Sequence, residues 1–226
     1  RDQGLRARRP GVVLCHGAWA DRSQLLSLTP GLHAARLELL LLDMRGCGQS
    51  GGNTSLGLEE WRDVAAAIRW MQQLGPVDPQ RIALVGCDIN AAAVLRAAGR
   101  NPAVRAVVLD RPTRNVGTFL SQRFQRVGLP GSVFGRLYEW SFSLSRAADM
   151  NQASAQYWVS SLSPGQALLV AARHNDPLTP PEDPYAVLSS ARCPKSIKVC
   201  RAMPQDEPGQ TAIMPPDIVA FLQARL

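Results

Sequence analysis

From Gly11 to the C-terminus, short apolar runs alternate with segments of helical periodicity, and that alternation constrains the fold of this chain more than any other feature. The runs are Gly11–Cys15, Leu37–Leu42, Arg81–Gly86, Val104–Leu109, Gln166–Ala172 and Ser196–Cys200. Their length and near-continuous apolarity read as strands buried on both faces. Between them the spacing predicts helices over Ser23–His33 (capped by Asp21 or Ser23), Leu58–Gln73, Ile89–Ala98, Glu182–Ser190 and Pro216–Leu226. In the second of these, Trp61, Val64, Ala65, Ile68 and Met71 share one face. Strands alternating with helices imply an α/β protein: a mostly parallel sheet of about six strands with helices on both faces. Residues 110–163 break the rhythm, being rich in Arg, Ser and aromatic residues. They are expected to form short helices, a lid insert over 111–163 rather than a separate domain. A chain of 226 residues fits one domain, 1–226. It has no run of about 18 apolar residues, so no transmembrane segment is expected.

Charge is distributed unevenly. The net charge is +7, and Lys195 and Lys198 are the only lysines, so the basicity is almost wholly arginine. Residues 1–10 form a basic N-terminal arm, with Arg1, Arg6, Arg8 and Arg9 against Asp2. Residues 111–148 carry Arg111, Arg114, Arg123, Arg126, Arg136 and Arg146 against Glu139 alone. Guanidinium forks bind carboxylates and phosphates bidentately, so Arg111, Arg114, Arg123, Arg126 and Arg136 are candidate partner-binding residues. A protein partner or another anionic surface is the expected counterpart, with lipid headgroups as a further candidate. A generally basic soluble surface stays open as the plainer alternative. Nucleic acid is not expected, because the basic and aromatic residues form no recognised reading motif. Five scattered cysteines without a C-x-x-C argue against a disulfide framework or a zinc ribbon. The chain opens at Arg1 with no Met, which leaves a processed targeting or anchor segment open and the compartment unassigned.

Four landmarks stand in one order along the chain: His16-Gly17 after the first strand; Asp43-Met44-Arg45-Gly46-Cys47-Gly48-Gln49-Ser50-Gly51-Gly52; Arg81–Gly86 leading into a turn; and Asn175-Asp176-Pro177-Leu178-Thr179-Pro180. In that order and spacing the chain resembles the α/β-hydrolase superfamily, its compact, small-lid, peptidase- and esterase-like branch. The resemblance covers nearly everything from Gly11 onward. It implies an oxyanion loop at His16, Gly17 and Ala18, a nucleophile elbow at Gly86–Asn90, and the acidic member of a catalytic triad at Asp176.

The elbow of such enzymes reads G-x-S-x-G, because side chains at the flanking positions would crowd the backbone. Here it reads Gly86-Cys87-Asp88-Ile89-Asn90, with Asp88 at the nucleophile position and Asn90 where a second glycine is usual. Asn90 is expected to intrude where substrate would sit, and Cys87 to line the pocket. Some relatives, the haloalkane dehalogenases and epoxide hydrolases, use an aspartate nucleophile, but their ester intermediate is hydrolysed by a histidine-activated water. That histidine is expected near Gln205, and residues 201–209 contain none. The three histidines are His16, His33 and His174, none at the relay position. The chain therefore reads as a catalytically inactive hydrolase-fold protein, a binding or structural subunit of a larger assembly. The alternatives are an aspartate-nucleophile hydrolase of the haloalkane or epoxide type and a weak esterase or peptidase. No cofactor and no metal are expected. Cys47 and Cys87 stand where members of the resembled family commonly have His, at the carboxyl ends of neighbouring sheet elements, with Cys15 expected close by in the same layer. They read as small buried hydrophobes in preference to a Cys47–Cys87 disulfide or a metal site with His16.

Overall fold

The computed structural model describes residues 7–146, 149–174, 176, 179–201 and 215–226. The first strand, β1, spans Arg9–Cys15, so the end of the basic arm is already sheet: Arg9 pairs with Glu38 at 3.1 Å. Residues 1–6 of the arm lie outside the described residues. A 3-10 turn over Arg22–Leu28 follows, with Asp21 as its cap, accepting from the Ser23 amide at 2.7 Å. Helix α1, Thr29–Ala34, then starts anew. The single helix expected over Ser23–His33 is split because Pro30 has no N–H for a helix interior and serves instead in a first turn.

Strand β2 is Glu38–Leu42, and α2 is Trp61–Gln73, beginning three residues later than the periodicity suggests. The cause is Glu60. Its carboxylate, 1% exposed, accepts hydrogen bonds from the Thr54 hydroxyl, the Ser55 amide and hydroxyl, and the Gly57 amide at 2.6–2.9 Å, holding residues 54–59 as a loop. β3 runs Val77–Cys87, a 3-10 turn covers Asp88–Asn90, and α3 is Ala91–Ala98. β4, Val104–Asp110, leads into the insert, which holds α4 (Val116–Arg126), α5 (Gly131–Arg146) and the short α6 (Ala155–Trp158). β5 (Ala167–His174), α7 (Glu182–Ser190), β6 (Lys195–Arg201) and α8 (Pro215–Gln223) complete the order.

The six strands form one sheet in the order β2-β1-β3-β4-β5-β6, every neighbouring pair parallel. Alternation along each strand builds two cores. Val13, Cys15, Ile82, Leu84, Val107 and Val170 face α2, α3 and α7. Val12, Leu14, Val85, Val108 and Ala171 face the side covered by Leu25, Leu32 of α1 and Ile218, Leu222 of α8. A third cluster, with Leu56, Ile89, Phe119, Leu120 and Met150, seats the insert over the carboxyl ends of the strands. Ligands bind at that end of open parallel sheets, and the order reverses there between β1 and β3. Among the described residues no helix is long and apolar enough to cross a membrane.

Candidate active site

At the end of β3 the chain turns sharply into α3. Asp88 stands at the tip with φ 50, a left-handed conformation that non-glycine residues avoid. The strain sits on Asp88 and not on Asn90, whose φ is −70. Gly86 is required just below, since a Cβ there would come within 2.6 Å of Val94 on α3. Asn90 is itself buried, 5% exposed. Its side-chain amide donates to the His16 carbonyl at 2.9 Å and braces the loop after β1.

His16 is fully buried and spoken for. Its Nε2 accepts from the Met44 amide at 3.0 Å, which puts the proton on Nδ1, and Nδ1 lies 2.7 Å from the Gly17 carbonyl it donates to. The ring therefore ties two loops together and has no nitrogen left for chemistry. The Gly17 amide donates to the Gln24 side-chain oxygen at 2.7 Å. Gly17 also lies directly over Asp88: a Cβ on it would stand 2.3 Å from an Asp88 carboxylate oxygen, so only glycine fits. Ala18 is half-buried against the insert cluster. Asp43 holds its own loop, accepting from the Arg22 amide at 2.8 Å and the Gln49 amide at 3.1 Å. Burial raises its carboxyl, but these bonds and the Arg22 charge outweigh that and leave it below the usual range.

The Asp88 carboxylate is closed in by arginines. Arg111, expected on an exposed partner face, is instead 1% exposed and lies at the centre of the site. Its three guanidinium nitrogens face three carboxylates: Nε to Asp110 at 3.4 Å, one terminal nitrogen to Asp88 at 3.8 Å, the other to Asp176 at 3.7 Å. Its backbone is also left-handed, φ 50, which swings the side chain back over the strand ends. Arg123 of α4 reaches down to the other Asp88 oxygen at 3.8 Å, its guanidinium 3.7 Å from the Phe119 ring centroid and 5.7 Å from that of Trp19. Burial pushes the Asp88 carboxyl above its ordinary value, against the lowering effect of both arginines. Burial wins because neither guanidinium is within hydrogen-bonding distance. For Arg111 burial acts to lower the guanidinium, yet the surrounding carboxylates hold it above its ordinary value.

Of the other arginines expected to face a partner, Arg114 is half-buried and paired with Asp183 at 3.6 Å, whereas Arg126 and Arg136 are exposed. Cys87 is fully buried on the α1/α8 side and Cys15 on the other, and burial raises both thiols, Cys15 up to about 12. All five cysteines are free, Cys47 half-buried. The relay position near Gln205 lies outside the described residues, as do Asn175, Pro177 and Leu178. His174 is exposed, on the rim of a cavity of about 300 Å³ that Arg111, Arg173, Asp176, Thr179 and Tyr185 also line. The hydroxyls of Thr179 there and of Thr113 beside Asp88 are buried without a hydrogen-bond partner among the described residues. A larger cavity, about 640 Å³, lies apart from the site between β2 and α2, lined by Leu40, Leu42, Arg45, Asp63 and Trp70.

The sequence profile of the alpha/beta hydrolase family matches residues 12–224. The chain belongs to that family. Among curated members it is 38% identical over 104 residues to an uncharacterised protein of Mycobacterium tuberculosis, a match covering 46% of this chain and 36% of that one. It is 28% identical over 189 residues to the uncharacterised protein YfhR of Escherichia coli K12, covering 82% and 59%. A thiohydrolase of Arthrinium phaeospermum is 36% identical over 111 residues, covering 47% and 36%. This alpha/beta hydrolase chain thus spans between about a third and three fifths of the length of the curated relatives it matches. Solved structures agree on the fold. The Pyrococcus furiosus esterase Pf2001 superposes with a TM-score of 0.72 at 18% identity, covering 96% of this chain and 84% of that one. DcsB in complex with its substrate analogue also gives 0.72, at 15% identity, covering 97% and 92%.

Proposed function

We propose that this alpha/beta hydrolase family member does not turn over substrate and serves as a binding or structural subunit of a larger assembly. The observation that carries the reading is Arg111. In a working triad a histidine passes a proton between the nucleophile and the solvent-side leaving group while the acid orients it. Here a guanidinium lies between Asp88 and Asp176, and a group that does not deprotonate in proteins cannot relay a proton. Asp88 is 3% exposed, roofed by Gly17 and held between Arg111 and Arg123, so its lone pairs face cations and not a reacting carbon. The lack of any histidine in residues 201–209 supports the same conclusion. Partners would be proteins or other anionic surfaces that meet the exposed arginines of the insert.

A second reading has its own support. The left-handed backbone of Asp88 is the geometry of a nucleophile elbow, which suits an aspartate attacking a haloalkane or epoxide, and the likeness in fold to the Pyrococcus furiosus esterase suits a weak esterase. Turnover of short esters, haloalkanes and epoxides by the wild type and by Asp88→Ala separates the two. Neither protein is expected to form product above background hydrolysis. Product formed by the wild type and lost in Asp88→Ala would make Asp88 a working nucleophile and overturn the non-hydrolytic reading.

A further inference from the structure

Helices α4 and α5 pack on each other as a hairpin joined by residues 127–130. The contact face of α5 is built for close approach: Gly131 and Gly135 lie against Ser121, with no room for a Cβ. Phe134 and Tyr138 meet Phe124 at 5.9 and 6.4 Å between ring centroids, and Phe142 stacks on Tyr138. Glu139, the only carboxylate in residues 116–146, is half-buried and turned toward Gly117 on α4.

The opposite face of α5 is apolar and bare. Val133, Leu137, Trp140 and Leu144 are 60, 55, 64 and 69% exposed. At about 100° per residue, positions spaced i, i+4, i+7 and i+11 fall within about 60° of arc, directly opposite Gly131, Gly135 and Phe142. Val127, 71% exposed, extends the strip onto the turn between the helices. Arg136 flanks it on α5 and Arg126 at the end of α4, both exposed. A contiguous exposed strip of this kind marks a surface that meets something other than water.

The composition selects the occupant. Valine, leucine and tryptophan flanked by serines and exposed arginines, with the one carboxylate of the hairpin half-buried, is the set that lies in the headgroup layer of a bilayer. A second copy of the chain fits poorly. A two-fold contact would set each strip on its own image, gathering the exposed Arg126 and Arg136 of both copies at one interface against a single half-buried Glu139 from each. The net charge of +7 adds long-range attraction to a negative surface. We propose that the outward face of α5 and the α4–α5 turn rest on an anionic lipid bilayer, with Trp140 and Leu137 in the interface and Arg126 and Arg136 on phosphate. This docking stands on α5 and holds whether or not Asp88 reacts.

Co-sedimentation with phosphatidylcholine vesicles, with and without about one third phosphatidylglycerol, tests it. The wild type is expected to pellet with the anionic vesicles, less so as salt is raised. Leu137→Asp with Trp140→Glu should stay in the supernatant at an unchanged melting temperature, since both side chains are exposed. Arg126→Glu with Arg136→Glu should lower partitioning by about tenfold or more. Brominated lipid should quench tryptophan emission in the wild type and much less in Trp140→Phe, a variant that keeps the fold. The proposal is overturned if the wild type pellets with neither vesicle or if the Leu137/Trp140 variant pellets like the wild type. A dimer that Leu137→Asp dissociates, with no vesicle binding, also overturns it and gives the face to a second copy.

Discussion

Asp88 combines the backbone of a sharp strand-to-helix turn with an enclosed, arginine-lined setting. The turn itself survives, with φ 50 at its tip and Gly86 tucked under α3. The space above it is filled. Arg111 and Arg123 approach to 3.8 Å, and Gly17 leaves no gap on the third side. A buried carboxyl raised above its ordinary value has a thermodynamic consequence whose sign is fixed. The folded state holds the proton more tightly than the unfolded chain does, so the stabilisation from that proton is complete below the unfolded carboxylate pKa of about 4 and is lost as pH rises through the folded value. Asp88→Asn, which cannot ionise, lacks this loss. The difference in melting temperature between Asp88→Asn and the wild type should therefore shift steadily in favour of Asn from about pH 4 upward, then level off. Each unit by which the carboxyl is raised contributes about 1.4 kcal/mol to that shift. A difference that is flat across the range would mean that Asp88 ionises as freely in the fold as in water. The position of Asp88 is legible in the sequence, because the family resemblance places an elbow at Gly86–Asn90, straight after an apolar strand. The role of Arg111 is not, because arginines crowd the whole stretch that follows. One signal was available: Arg111 is the second residue past Leu109 at the carboxyl end of a central strand, where side chains point into the site.

At the scale of elements, the strands were easier to read than the helices. All six runs are strands: the inner ones are buried on both faces and need near-continuous apolarity, whereas β6 at the sheet edge is largely exposed and carries Lys198 and Val199 on its surface. Helix starts depended on local features that periodicity does not register, the missing N–H of Pro30 and the hydrogen bonds of the Glu60 anchor. The insert was the least legible. α4 and α5 bury aromatic residues against each other and also carry an outward apolar strip on α5, so the apolar residues of that stretch occupy more than one face and blur its period. Glu60 offers a check on how far one anchor supports its neighbours. The loop it holds includes Leu56, at φ 52 and 2% exposed, which packs with Ile89 and Phe119 beneath α4. Glu60→Gln replaces one accepting oxygen with a donor, leaving at least one of the Ser55, Gly57 and Thr54 donors buried and unpaired. Stability in urea should fall by about 1–3 kcal/mol. An unchanged midpoint would show that the loop is held by the burial of Leu56 alone.

Over the whole molecule, the two cores share the same backbone. Val13 and Leu14 are adjacent residues of β1 that point to opposite faces, and the same alternation repeats along β3 and β4. A sheet buried on both sides cannot lose one covering layer without exposing strands that the other layer needs, so the face bearing α2 and α3 and the face bearing α1 and α8 should unfold together. The chain is accordingly expected to behave as one domain. Far-ultraviolet circular dichroism and tryptophan fluorescence should then trace a single coincident urea transition. Leu14→Ala on one face and Ile68→Ala on the other, at 0 and 1% exposure, should each lower stability by about 2–5 kcal/mol with no change in the slope of the transition. Their effects should be close to additive, because Leu14 and Ile68 belong to different clusters with the sheet between them. Should Leu14→Ala split the transition in two, the layer of α1 and α8 would be an independent unit, and the one-domain expectation would fail at the sheet's own midplane.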